Sequence, residues 1–381
     1  MNLQNFIHRK SVLKTHQIVK LLDFIISEAF QSYSKRKISS STEFQKSIQV
    51  CVLGAHTSLG RATSFLLKQN PLISVLKVQG EPSVKNLAID LNQIDTKCHV
   101  QGFDGIINVS KALRKLKEET SVVDRVMAEG KRVYDLAKEC TIYAPRSIII
   151  VSAPPVSVLT PLVEGVFKGT NWYHPGRIIG SAAIAQIKAN TLMGRDQDLD
   201  PKICNVPIIG GPDIDLAVPL FSRASPIDII DRSARRLLAR FRGVKEINFP
   251  EIISRPNYVE NYDMSEAFAL NNMITTIGLG ICGDEKAYYC AYVRANLVNA
   301  CRHLVTTVQF SRGGIVHNFG LPQLTKLELK MFEKATLDIG KREQMAQEFL
   351  EIAESGKPTV PPFKLKDLEI KKMLQQKVVR A

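Results

Sequence analysis

Two stretches of the chain carry residue types whose spacing could do chemistry. In "GAHTSLG", Gly54, Thr57 and Gly60 recur at three-residue intervals, with Ala55 inside the turn. Glycines in this pattern make a tight turn, let the backbone approach a pyrophosphate and let the next helix pack against the strand, which is how a dinucleotide is cradled. Thr57 stands at the middle position and adds a side chain where the pyrophosphate would pass. An acidic residue for the ribose hydroxyls is expected at the end of the following strand. That position is Gly80, and Glu81 beside it is shifted by one residue, toward the opposite face of a strand. The second stretch, "VPIIGGPDIDLAVPL" over 206–220, looks like the approach to an acid–base site, yet Pro212 after the Gly210-Gly211 pair has nothing to titrate. Asp213 next to it would need a raised pKa and an open geometry to act as a base. The only histidines after Ile179 are His303 and His317, each read as satisfied or exposed rather than catalytic.

The elements that must hold these residues are legible from pattern. Ile48, Val50 and Val52 alternate ahead of the glycine turn, and Ala62, Phe65 and Leu66 follow it at helical spacing. "ISVLKV" begins about 20 residues after the turn and completes a βαβ unit. A charged helical pattern runs from Val109 to about Cys140, and "RSIIIVSAPPVS" reads as a strand buried on both faces and closed by prolines. Beyond it the pattern predicts a helix around 181–194, the strand "KICNVPIIGG" and helices around 227–242 and 263–280. Strand-like "AYYCAYVRANL" and "VTTVQFSRGGIVHNF" follow, then a helix from Thr325 to Glu354.

With 381 residues and 45% hydrophobic content, the chain is long enough for two domains or one large one. The net charge of +14 is concentrated at the ends. Residues 1–46 carry eight Lys/Arg against Asp23, Glu28 and Glu43, and the stretch from Ser355 carries seven against Asp367 and Glu369. With 7% aromatic residues and no single basic stripe, nucleic-acid binding is not expected. The seven cysteines show no C-x-x-C spacing, which argues against a disulfide framework or a metal site and for buried thiols in a reducing compartment. No apolar run reaches the ~18–20 residues of a membrane span. The basic start, the Ser-rich "SYSKRKISSS" and helically spaced Ile18, Leu21, Leu22, Ile25, Ile26 and Phe30 read as a mitochondrial presequence.

Five segments in collinear order, "VCVLGAHTSLGRATSFLLKQNPLISVLKV", "LAIDLNQIDTKCHVQGFDG", "GRIIGSAAIAQIKANT", "DLDPKICNVPIIGG" and "VPLFSRASP", resemble the mitochondrial type of NAD-dependent malate dehydrogenase. The likeness runs from about Ser47 to Glu354. It implies an α/β fold: a Rossmann-type doubly wound parallel sheet followed by the α+β C-terminal domain of lactate/malate dehydrogenases. The implied organisation is a basic extension and presequence at 1–46, a degenerate NAD-binding domain at 47–155, a substrate domain at 156–354 and a Pro/Lys-rich tail at 355–381. It further implies the mitochondrial matrix as the location.

Residue by residue, the resemblance implies chemistry that this chain has altered. The family's general-base histidine falls at Pro212, its orienting aspartate at Ala185 and one carboxylate-clamping arginine at Lys188. Lysine keeps the charge but not the planar fork that grips a carboxylate with two hydrogen bonds. The other clamp arginines belong to a loop rewritten here as "IINVSKALRKLKEETSVVDRV", where Lys115 and Ser121 take their places in the best register and Arg114 is an alternative clamp. Implied cofactor contacts are Gly54, Ala55, Thr57, Gly60, Glu81, Ser152 and Ala153, the last at the position of an asparagine that touches both substrate and cofactor. Thr57, Gly80 and Ala153 each remove a favourable contact, so weak NAD binding or none is expected, and no metal. The expected function is that of an inactive family member with a structural or regulatory role, to which a dicarboxylate substrate is doubtful. The alternatives are an active dehydrogenase of malate or another 2-hydroxy acid with relocated groups, and a basic scaffold for nucleic acid or an anionic surface. The family pairs its subunits through helices that include 181–194, so a homodimer, or a heterodimer with a related dehydrogenase subunit, is expected; alternatively those alanines pack only against the chain's own core.

Overall fold

The computed structural model describes residues 48–104, 121–229, 231–243 and 263–355. The expected presequence at 1–46, the loop carrying Arg114 and Lys115, and the tail beyond Ser355 lie outside the described residues. A first sheet holds β1 (Ile48–Leu53), β2 (Ile73–Gly80) and β3 (His99–Asp104), parallel and in that order, with Val50 opposite Leu76 and Val78 opposite Gly102. The crossovers α1 (Ser58–Lys68) and α2 (Ser83–Asn92) bury Leu67 and Val84 against Leu76 and Val78. These connections are helical because parallel neighbours need a crossover of a dozen residues or more.

α3 (Val122–Tyr143) leads to β4 (Ile149–Val151), α4 (Val156–Lys168) and β5 (Ile178–Ser181). β4 and β5 are parallel, but they belong to the second sheet, in the order β4-β5-β8-β9-β6-β7 with β10 beside β9. Its other pairings are antiparallel. The remaining elements are α5 (Ala183–Gln197), β6 (Ile208–Gly210), β7 (Ala217–Pro219), α6 (Asp231–Arg242), α7 (Asp263–Ile281), β8 (Tyr288–Arg294), β9 (His303–Ser311), β10 (Gly314–Asn318) and α8 (Lys326–Glu354). The fold is thus α/β, a parallel N-terminal sheet plus a mixed C-terminal one.

Several expectations needed correction. "KICNVPIIGG" supplies only the three residues of β6: the Val206 amide donates to the Asn190 side chain at 2.8 Å, and Asn205 makes an isolated bridge to Ser225. The strand in "RSIIIVSAPPVS" is three residues long, and only Val151 of it is buried. "VTTVQFSRGGIVHNF" is a hairpin, β9 and β10, turned at Arg312-Gly313, with Gly314 opening β10 at φ +109°. Cys51 and Cys282 are exposed rather than buried: β1 is an edge strand whose alternate residues face outward, and Cys282 follows the end of α7. None of the seven cysteines is in a disulfide. α8 begins where expected, its first amides satisfied by a reciprocal cap between Thr325 and Glu328. Among the described residues no helix is long and apolar enough to cross a membrane.

Candidate functional site

The glycine turn is built as its sequence requires. Gly54 has φ +85°, a conformation open to glycine, and a Cβ at Gly60 would lie 2.4 Å from the Gly54 carbonyl oxygen and 2.7 Å from the Ala55 Cα. Gly54 and Ala55 both donate their amides to the Gln79 carbonyl, at 2.9 and 3.0 Å, which fastens the turn to the end of β2 and brings it next to half-buried Glu81. Thr57 caps α1: its hydroxyl accepts from the Gly60 amide at 3.0 Å and donates to the Gly54 carbonyl at 2.9 Å. His56, which sequence reasoning passed over, packs its ring on Gly80, so close that a Cβ at residue 80 would lie 2.6 Å from Nδ1. Both ring nitrogens are buried without a hydrogen-bond partner. Burial lowers the His56 pKa, with Arg132 and Arg61 acting in the same direction and Glu81 opposing.

At the other stretch, Pro212 is buried in the loop between β6 and β7, and its neighbour Asp213 is fully engaged. Asp213 Oδ1 accepts the Val156 amide at 3.0 Å, and Oδ2 accepts the Ser157 amide at 3.2 Å, the Ser157 hydroxyl and Arg342 Nη1 at 2.9 Å. Arg342 reaches in from α8, donates through Nη1 to Ser157 Oγ at 3.0 Å as well, and pairs through Nη2 with Asp215. Burial pushes the Asp213 carboxyl up from its ordinary value while Arg342 pulls the other way. With donors on both oxygens and Arg342 beside it, this carboxylate anchors the loop to the start of α4. Glu266, on α7, is half-buried, and burial together with the charges of Asp213 and Asp263 pushes its pKa up to about 8.

His303 is a satisfied core residue, 4% exposed. Its Nε2 pairs with Glu164 and its Nδ1 with Glu343 at 2.8 Å, while Arg294 at 2.8 Å, Lys168 at 2.9 Å and the Tyr173 hydroxyl also meet Glu164. Burial pulls His303 down, but the two carboxylates outweigh it and raise its pKa. Burial likewise pushes Glu164 up, and His303, Tyr173 and Lys168 together hold it well below the carboxylate range. His317 is exposed, in edge contact with Phe319.

No family model matches the chain. It is 27% identical over 323 residues to the mitochondrial malate dehydrogenase of Macaca fascicularis, covering 82% of this chain and 94% of that one. Its fold superposes on the apo malate dehydrogenase of Picrophilus torridus with a TM-score of 0.63 at 16% identity, over 80% of this chain and 98% of that one. The malate dehydrogenase of Plasmodium falciparum in complex with NADH superposes with a TM-score of 0.60 at 15% identity, over 80% and 100%. The chain is thus distantly similar in sequence to mitochondrial malate dehydrogenases and shares the fold of malate and lactate dehydrogenases.

Ala185 is wholly buried on α5 and shares a core cluster with Leu216 and Val218, so the helix abuts the hairpin that carries Pro212. Lys188, half-buried one turn on, lies with its ammonium 5.4 Å from the centre of the Phe241 ring. Ser152 and Ala153 follow β4 and are half-buried; the ladders join β4 to β5 in the second sheet, with none to β1 among the described residues. Ser121 caps α3 through the Asp124 amide at 3.2 Å.

A dinucleotide, as the family binds it, fits this chain poorly. Gly54 and Gly60 make the turn, but the amides of Gly54, Ala55, Thr57 and Gly60 are used internally. The imidazole of His56 fills the volume beside Gly80 where an acidic side chain and the ribose it holds would meet. Among the described residues no three His, Cys, Asp or Glu side chains gather as a metal site. Sequence reasoning missed Arg342, Glu266 and His56, because their partners are contributed by distant elements.

Proposed function

We propose that this chain is a member of the lactate/malate dehydrogenase family that has lost hydride transfer and acts through binding or structure. The observation that carries the reading is at the base position. Pro212 takes it, and the adjacent carboxylate is engaged by Arg342, Ser157 and two backbone amides instead of facing a reactant. Ala185 offers no carboxylate to orient a base, and Lys188 no bidentate clamp. Loss of general-base catalysis alone typically forfeits ~10²–10⁴ in rate, and the orienting and clamping groups go with it.

Within this reading, residues 47–155 form the degenerate NAD-binding part and 156–354 the substrate-domain part, in a protein of the mitochondrial matrix. The subunit pairs with a second copy or with a related active dehydrogenase subunit. Ala182, Ala183, Ala185 and Ala189 are fully buried in the chain's own core, so a partner would meet the half-buried Ile184, Ile187 and Leu192 of α5 instead. The reading is tested by assaying NAD-dependent turnover of malate and oxaloacetate beside a P212H/A185D/K188R variant; it expects no turnover by the natural chain. One observation favours a second reading, an active enzyme with a relocated base: Glu266, whose carboxyl titrates at about 8, lies near Asp213. That reading requires measurable turnover that Glu266→Gln abolishes.

A further inference from the structure

The end of α3 carries large apolar side chains outside the core. Ile142 and Tyr143 close that helix 66% and 80% exposed. Trp172, in the loop after α4, is 43% exposed even with the Arg146 guanidinium carbon 5.2 Å from its ring centre. Arg146 follows closely on Tyr143 and ties the helix end to the Trp172 loop, so these side chains form one patch. Tryptophan, tyrosine and arginine are the residues that most often anchor an interface, and a patch of this composition is a docking surface.

The patch lies where α8 delivers the rest of the chain. Phe349 of α8 packs on α3 at Gly130, where a Cβ would lie 2.7 Å from its ring, and further along both helices the charge of Glu354 acts on Lys138. The two helices therefore advance in the same direction, α8 toward the end of α3. Cys140, Tyr173, Ile352 and Ala353 pack against one buried cluster, which sets the last turn of α8 beside the last turn of α3 and the residue after Trp172. Ile142 is one helical turn past Lys138, on the same face and about 6 Å beyond it. After Ser355, the last described residue, the chain continues "GKPTVPPFKL" over 356–365. Pro358, Pro361 and Pro362 have the P-x-x-P spacing of segments that dock, extended, on aromatic side chains with little ordering entropy to lose. At about 3.1 Å per residue, such a segment from Pro358 to Phe363 reaches roughly 9–25 Å from Ser355, which spans the patch. Only Gly356 and Lys357 intervene, and a tether that short supplies an effective concentration on the order of mM, ahead of a free partner.

We propose that residues 358–363 of this chain, "PTVPPF", dock in cis over Ile142, Tyr143 and Trp172. Trp172 is the only tryptophan, so intrinsic fluorescence reports on the patch alone. The full chain and its P361G/P362G/F363S variant are compared by emission maximum and by acrylamide quenching. The variant is expected to emit at longer wavelength with a quenching constant raised about twofold or more, because the indole passes from covered to nearly half exposed. In the reciprocal arm, I142S/Y143S in the full chain should let trypsin cleave after Lys364 several times faster than in the natural chain. Circular dichroism checks the fold of both variants, and Tyr143→Ser alone repeats the second arm if the double variant fails to fold. Equal emission and quenching in the natural chain and the proline variant overturn the proposal, as does cleavage after Lys364 that is no faster in the patch variant. Protection of Trp172 that disappears on dilution of the natural chain assigns the cover to a second copy and also overturns it. Neither arm uses NAD or malate, so its outcome is independent of the loss of hydride transfer.

Discussion

Replacing Arg342 by Met tests whether the region of the lost base has become part of the chain's framework. Arg342 and its two carboxylate partners are all nearly buried, with side chains 5%, 11% and 11% exposed. Methionine has similar length and apolar bulk, so the packing of α8 survives while Asp213 and Asp215 lose their cation. Breaking one side of a buried pair costs about 3–5 kcal/mol, since the remaining charge is left in a poorly solvating interior. Here two like charges remain, and the donors of Ser157 and Val156 relieve only Asp213. With about 2.1 cal/mol/K of unfolding entropy per residue, a chain of this size shifts by roughly 1–2 °C per kcal/mol, so the midpoint of thermal unfolding should fall by roughly 3–10 °C. A D213N/D215N/R342M variant removes the uncompensated charge and should regain most of that loss. Circular dichroism during heating, with urea titration as a check, measures both. An Arg342→Met midpoint within 2 °C of the natural chain, or a triple variant no better than the single one, would refute the reasoning.

Two further outcomes follow from the same structure. His303 has a folded pKa above its ordinary 6.5, so its contribution to stability is complete below that value and is lost as pH rises through the raised value. Glu164, held low, adds stability that is lost only as the solution becomes strongly acidic, so unfolding midpoints between pH 5 and 9 should decline on the alkaline side, and His303→Gln should flatten that decline. At the turn, Gly60→Ala brings a methyl against the Gly54 carbonyl and the Ala55 Cα, backbone atoms that cannot swing aside; a loss of about 2 kcal/mol or more is expected in urea unfolding, against a few tenths for Gly313→Ala, where nothing lies within 4 Å.

The local features of the chain were legible in its sequence. Alternation before Gly54, helical spacing after Gly60 and the cap at Thr325 each concern neighbours within a few residues, and each element formed there. α4 was not foreseen because "VSVLTPLVEGVFK" is rich in β-branched residues and holds Pro161, which masks its helical period. "KICNVPIIGG" looked like a longer strand because nothing local announces that Asn190 takes the Val206 amide. The candidate site divides in the same way. Pro212, Ala185 and Lys188 are visible as substitutions, but the partners that define Asp213 come from 56 to 129 residues away. The packing of His56 on Gly80 likewise joins two strand ends whose meeting depends on the register of β1 and β2. Burial and pairing, which decide whether a carboxylate is a base or an anchor, belong to tertiary structure.

The most direct test of the central claim follows the hydride itself. The purified full chain is incubated for hours with oxaloacetate and NADH carrying deuterium at the transferable position, and malate is examined for deuterium by mass spectrometry, with an active malate dehydrogenase as the positive control. The loss of hydride transfer predicts no labelled malate above the enzyme-free reaction. Labelled malate formed at roughly 1 s⁻¹ or faster, the ordinary range for enzymes, would contradict it.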